Sequence, residues 1–117
     1  MVMEFIEAAL FTQIVTDYLD DEEYWRLEAF LAENPEAGAV VPETGGFRKL
    51  RWRNPRRAKG KRGGLRVIYY YFPADAQIWF AFLYDKAQSD DLTPMEKKAL
   101  RQAIAAEKIA RATARKR

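Results

Sequence analysis

The sequence predicts an α+β domain, and three observations lead to that class. Apolar residues recur at helical spacing between Phe11 and Leu31. Alternating, β-branched and aromatic runs then fill Phe47 to Tyr84, and helical spacing returns after Thr93. The 117 residues give room for one domain, 1–117, and no internal repeat or linker divides them.

Val2 to Ile6 reads as a short first strand. Phe11, Ile14, Val15, Tyr18 and Leu19 form one apolar stripe on a first helix. Asp20-Asp21-Glu22-Glu23 starts a second helix, with a carboxylate cap, a Glu three residues on, and acidic side chains at the positive end of the dipole. Tyr24, Leu27 and Leu31 continue its buried face until Asn34-Pro35 stops it. Pro42 to Gly46 is a turn. Phe47 to Trp52 alternates, with Phe47, Lys49 and Arg51 on one side and Arg48, Leu50 and Trp52 on the other. Asn54 to Gly64 has nothing apolar larger than Ala58 and is expected to be a loop. Leu65 to Phe72 is apolar on both faces apart from Arg66, the pattern of a central strand. Pro73 to Ala76 turns the chain into a hairpin partner, Gln77 to Tyr84. Thr93-Pro94-Met95-Glu96 opens the last helix with cap, first-turn proline and capping-box Glu in register. Ala99, Leu100, Ala103 and Ile104 give it a narrow face, and the small, basic stretch 111–117 is expected to fray. The plan is strand, two helices, a three-strand antiparallel meander and a C-terminal helix.

Composition closes several routes. With 49% apolar and 32% charged residues the chain is globular rather than disordered. It has neither cysteine nor histidine, so disulfides, thiol catalysis, thiolate metal sites and imidazole acid–base chemistry are all excluded. There is no apolar run of membrane length and no signal-type start, so a cytoplasmic location without membrane contact is expected.

The net charge of +3 hides a segregation. Residues 1–43 carry eleven acidic side chains against Arg26 alone, whereas residues 44–72 carry ten basic ones and no acid. Those ten are Arg48, Lys49, Arg51, Arg53, Arg56, Arg57, Lys59, Lys61, Arg62 and Arg66. Cations this dense repel one another and call for a polyanion such as RNA or DNA. Metal-dependent cleavage requires clustered carboxylates, and the basic block has none; Asp85, Asp90 and Asp91 are the only acids near a strand end. The remaining route to RNA cleavage needs no metal or cofactor. The 2′-hydroxyl of the RNA attacks its own phosphate, arginines stabilise the phosphorane, and Lys or Tyr moves the protons. Such a site works well only on a substrate already bent for attack.

Thr44-Gly45-Gly46-Phe47-Arg48-Lys49-Leu50-Arg51, Gly60-Lys61-Arg62-Gly63-Gly64-Leu65-Arg66, Leu83-Tyr84-Asp85-Lys86 and Ser89-Asp90-Asp91-Leu92-Thr93 together resemble the RelE/HigB-type toxins of bacterial toxin–antitoxin systems. The resemblance covers most of the chain, from Asp21 to the last helix. It implies a ribosome-dependent mRNA endonuclease with a microbial-RNase-like RelE fold, helices on one side of a twisted sheet and a basic cleft on the other. It also implies a cognate HigA-like, helix-turn-helix antitoxin, with operator DNA bound only through that partner. By the same resemblance Arg66 stabilises the phosphorane. Lys49 and Arg51 supply a base or electrostatic pair, and Lys61 and Arg62 approach the scissile phosphate. Tyr84 and Lys86 stack on a base or donate a proton. Asp85 departs from the glycine common there. Arg48, Arg53, Arg56, Arg57 and Lys59 are expected to contact RNA. Two other readings compete, a ParE-like gyrase-inhibiting toxin and a nucleic-acid-binding module without catalysis. For Arg66 the competing role is a salt bridge to a helix carboxylate such as Glu28.

Overall fold

The computed structural model describes residues 2–53, 64–89 and 91–116. The elements are β1 (Glu4–Glu7), α1 (Ala9–Tyr18), α2 (Asp21–Glu33), β2 (Ala39–Val40), β3 (Arg48–Trp52), β4 (Leu65–Phe72), β5 (Gln77–Asp85) and α3 (Pro94–Arg115). They form one mixed sheet in the order β1-β5-β4-β3-β2. The expected meander is its centre, with β4 antiparallel to both β3 and β5. β1 joins the far edge parallel to β5, pairing Glu4 with Gln77. It begins later than the apolar pattern suggests, leaving Val2 out in solvent. β2, two residues long, was not expected; it pairs Ala39 with Lys49 along the other edge.

Local chemistry sets the helix starts. Asp20 accepts from the Glu23 N–H while the Glu23 carboxylate accepts from the Asp20 N–H, a closed capping box. Thr93 and Glu96 repeat the device at α3, with Pro94 in the first turn. No helix among the described residues is long and apolar enough to cross a membrane.

The sheet separates two cores. Phe11, Val15 and Leu19 of the α1 side and Leu27 and Leu31 of α2 pack on Leu50, Leu65, Val67, Tyr69, Ile78, Phe80 and Leu83. Each side chain of this size, fully buried, contributes about 1.5–3 kcal/mol. On the opposite face Ile104 of α3 joins Val41, Phe47, Ile68, Phe72, Tyr84 and Leu92. Helices therefore lie on both sides, where the resemblance implies one open face. The second face is covered by α3 along its Tyr70 and Phe72 end, and its cationic residues occupy the other end.

α3 also runs through the stretch expected to fray. The Arg111 guanidinium lies 3.7 Å from the Phe72 ring centroid. It bonds Asp75 at 2.6 Å and Glu107 at 2.8 Å, and Arg115 reaches Asp75 at 2.8 Å. A carboxylate in the β4–β5 turn thus holds the helical end down, a tertiary contact that overrides the local tendency.

Candidate functional site

The second face of the sheet carries a row of three residues on adjacent strands. Arg51 of β3 sits directly opposite Arg66 of β4, and Arg66 directly opposite Tyr84 of β5. Such partners share a face at a Cα separation of about 4.5–5.5 Å. Lys49 lies two residues before Arg51 on the same face, opposite Ile68. Alternation along β3 accounts for Lys49 and Arg51. Tyr84 needs more. Ile68 pairs with Phe82 and Tyr69 with Phe80, so Ala81 is an extra residue in β5. Ile78 and Phe80 face the α1–α2 core, and without this bulge Tyr84 would face it too. The inserted residue turns Tyr84 onto the Arg66 face instead.

Arg66 is only 9% exposed. Its Nη1 donates to the carbonyl of Leu65 at 3.3 Å, and no carboxylate among the described residues pairs with it. The assignment to Glu28 fails on topology, because Glu28 belongs to the other face, where burial and the neighbouring Glu7 carboxylate raise its pKa. Gly64 makes room at the start of the strand. A Cβ there would lie 3.3 Å from the Trp52 carbonyl oxygen and 3.8 Å from Arg66 Nη1. Arg51 is exposed at the mouth of the row.

Tyr84 is buried, and its hydroxyl finds no hydrogen-bond partner among the described residues. Burial raises its pKa and the Asp91 carboxylate adds to this, against the opposing pull of Arg66. The phenol therefore keeps its proton at neutral pH. Lys49 is half-buried, with its Nζ 3.5 Å from Asp91 Oδ1. That oxygen also accepts the Leu92 N–H at 2.7 Å, which, ahead of the pull of Lys49 and Lys97, holds the Asp91 carboxyl below the usual range.

The other expected site residues separate. Arg48 faces the opposite side, donating to the carbonyls of Gly38 at 2.8 Å and Glu36 at 3.2 Å, with the Glu36 carboxylate 3.5 Å away. It ties down the connection between α2 and β2. Arg53 is exposed just past β3. Lys86 follows β5 in an exposed turn, its N–H bonded to the Gly64 carbonyl beside the row. Lys61, Arg62, Arg56, Arg57 and Lys59 lie outside the described residues. Asp85 pairs with Leu65 and so faces away from the row, its carboxylate accepting the Ala87 N–H at 2.8 Å.

The Thr44-Gly45-Gly46 motif is structural. Buried Thr44 accepts from the Phe47 N–H and donates to the Val41 carbonyl, closing the turn before β3. Gly45, at φ +80°, lies where a Cβ would be 2.7 Å from Ile104 Cγ2, so its lack of a side chain lets α3 dock. Arg101 donates to the neighbouring Glu43 carbonyl at 2.7 Å.

Two arginines abreast on neighbouring strands repel each other unless an anion lies between them, and an uncapped phenol O–H beside them lacks an acceptor. Phosphate oxygens meet both needs. Asp91, which the sequence offered as an acid near a strand end and as part of the Ser89–Thr93 motif, had no expected role at the site; its place just ahead of the Thr93 cap that starts α3 is the signal that points to it. No protein-family model matches the chain.

Proposed function

We propose that this chain is the toxin of a toxin–antitoxin pair, a RelE/HigB-like, metal-independent mRNA endonuclease that acts on the ribosome. The observation that carries the reading is the Arg51–Arg66–Tyr84 row, two guanidinium groups and a buried phenol donor on one face. In the proposed reaction the 2′-oxygen attacks the adjacent phosphorus, a 2′,3′-cyclic phosphate forms, and the bond from phosphorus to the 5′-oxygen breaks. Arg66 and Arg51 hold the non-bridging oxygens as their charge grows. The 2′-hydroxyl proton passes to a lysine of the basic block, Lys49 or Lys61. Tyr84 delivers a proton to the departing 5′-oxygen. Its ring is too buried to stack on a base, which favours donation over stacking.

A phenol that holds its proton this firmly is a slow acid at neutral pH, so most of the acceleration has to come from positioning. Dependence on a larger machine that bends the message follows from that. A HigA-like antitoxin with an acidic or amphipathic segment suits the cationic face.

Pulsed expression with 5′-end mapping of transcripts, with and without translation, tests the reading. The expected result is cuts within translated codons only, and none from a folded Arg66→Ala variant. Double-strand DNA breaks would instead support the gyrase-inhibitor reading, and unimpaired growth a binding module. Rapid decay of naked mRNA in vitro would contradict the weak-site argument.

A further inference from the structure

Asp91 engages a cation of the face on which the proposed reaction takes place. It reaches Lys49, a half-buried lysine of the cationic face, at 3.5 Å. Its backbone neighbour Leu92 is buried against Ile68 and Tyr84 of the same face. The lead-in to α3 thereby lies against one flank of the row, whose Tyr84 hydroxyl is buried without a hydrogen-bond partner among the described residues. The residues that follow Asp91 are anchored twice, by Leu92 in the core and by the Thr93–Glu96 capping box. Asp91 itself is half-exposed and on the outer edge of this anchor.

We infer that Asp91 is a resident stand-in for an RNA phosphate, competing with RNA for Lys49 so that this lysine is masked until RNA displaces the carboxylate. The inference rests on the RNA-cleaving reading above and adds to it an intramolecular competitor. A carboxylate and a phosphate oxygen offer a lysine the same kind of charge-assisted acceptor, so the two exclude each other at Nζ. Lys97 also faces Asp91 electrostatically and gives the displaced carboxylate somewhere to go. The consequence is weak binding of free RNA. A ribosome that presents the phosphate at high effective concentration overcomes it.

Asp91→Asn separates charge from shape. The amide oxygen still accepts the Leu92 N–H, so the segment keeps its backbone anchor. The probe is a fluorescein-labelled, 2′-O-methyl single-stranded RNA that cannot be cleaved, read by anisotropy at low salt. Asp91→Asn is expected to bind about fivefold tighter than the wild type, equivalent to roughly 1 kcal/mol. In the Lys49→Gln background the same change is expected to have no effect. Circular dichroism melts of all five proteins, Arg51→Ala included, establish that each is folded. Unchanged or weaker binding by Asp91→Asn, with wild-type binding still sensitive to Arg51→Ala, overturns the competitor and leaves the RNA reading standing. Binding that is absent from both the wild type and Asp91→Asn, or that is insensitive to Arg51→Ala, overturns both. A gain that persists in Lys49→Gln overturns the competition for Lys49, assigning the effect to general charge.

Discussion

Tyr84 shows how a single residue sets stability against activity. A buried hydroxyl without an acceptor costs about 1–3 kcal/mol, because its bond to water is lost on folding and nothing replaces it. Tyr84→Phe removes the oxygen and keeps the ring, so the variant is expected to be at least as stable as the parent and up to about 1–3 kcal/mol more so. The same change is expected to abolish cleavage, since the proposed proton donor is gone. Chemical denaturation alongside transcript mapping checks both, and a destabilised Tyr84→Phe would mean that the hydroxyl has a partner after all. Tyr24 and Tyr69 share the upward shift. Burial raises both, and at Tyr24 the Glu7 carboxylate, accepting the phenol at 2.5 Å, raises it further. The sign follows from linkage. Phenols that stay neutral longer in the fold than in the unfolded chain leave stability intact below about pH 10. Above that the unfolded chain releases protons first, and stability falls. Urea denaturation between pH 8 and 11 is expected to show a loss confined to the alkaline end, shallower in Tyr24→Phe.

At the level of elements, α3 is held by shape as much as by charge. Gly45→Ala would drive a methyl into Ile104 Cγ2 from a left-handed backbone position. A cost of about 2–3 kcal/mol is expected, read as a lowered thermal midpoint with the α1–α2 core unchanged. What was legible in the sequence follows the range of the interaction. β4 was readable residue for residue because its apolar run and its bounding turns are local, as were both capping boxes. The shared face of Lys49 and Arg51 was readable from alternation. The bulge at Ala81 was not, because the sequence around it is apolar on both sides and the period of two has nothing to break against. Asp75 and Arg111 were separately visible, yet their bond joins a hairpin turn to a helix end 36 positions away. Alternation also put Arg48 on the other side from Lys49 and Arg51, yet it was expected to contact RNA, because the Gly38 and Glu36 carbonyls that hold it belong to a connection about ten residues upstream that the local pattern does not reveal.

Across the whole molecule the charge segregation of the chain becomes a polarity of surfaces. Acidic side chains crowd the α1–α2 side, where Arg26, the one cation of the two helices, is 3.3 Å from Glu22, while Arg51, Arg53 and Lys86 are exposed around the mouth of the row. A polyanion approaching such a body is repelled from one side and focused on the other, so its affinity should report only the cations it reaches. For single-stranded nucleic acid the logarithm of the binding constant falls with the logarithm of salt, with a slope of about −0.7 for each phosphate neutralised. Arg51→Ala removes one exposed cation of the row, and the slope is expected to become shallower by about 0.7. Glu22→Gln, on the acidic side, is expected to leave the slope where it was. Anisotropy titrations of a single-stranded RNA across 50–300 mM salt measure both. A slope that responds to Glu22 as strongly as to Arg51 would mean that RNA wraps the molecule rather than entering one face, and the row would then lose its claim to be the site.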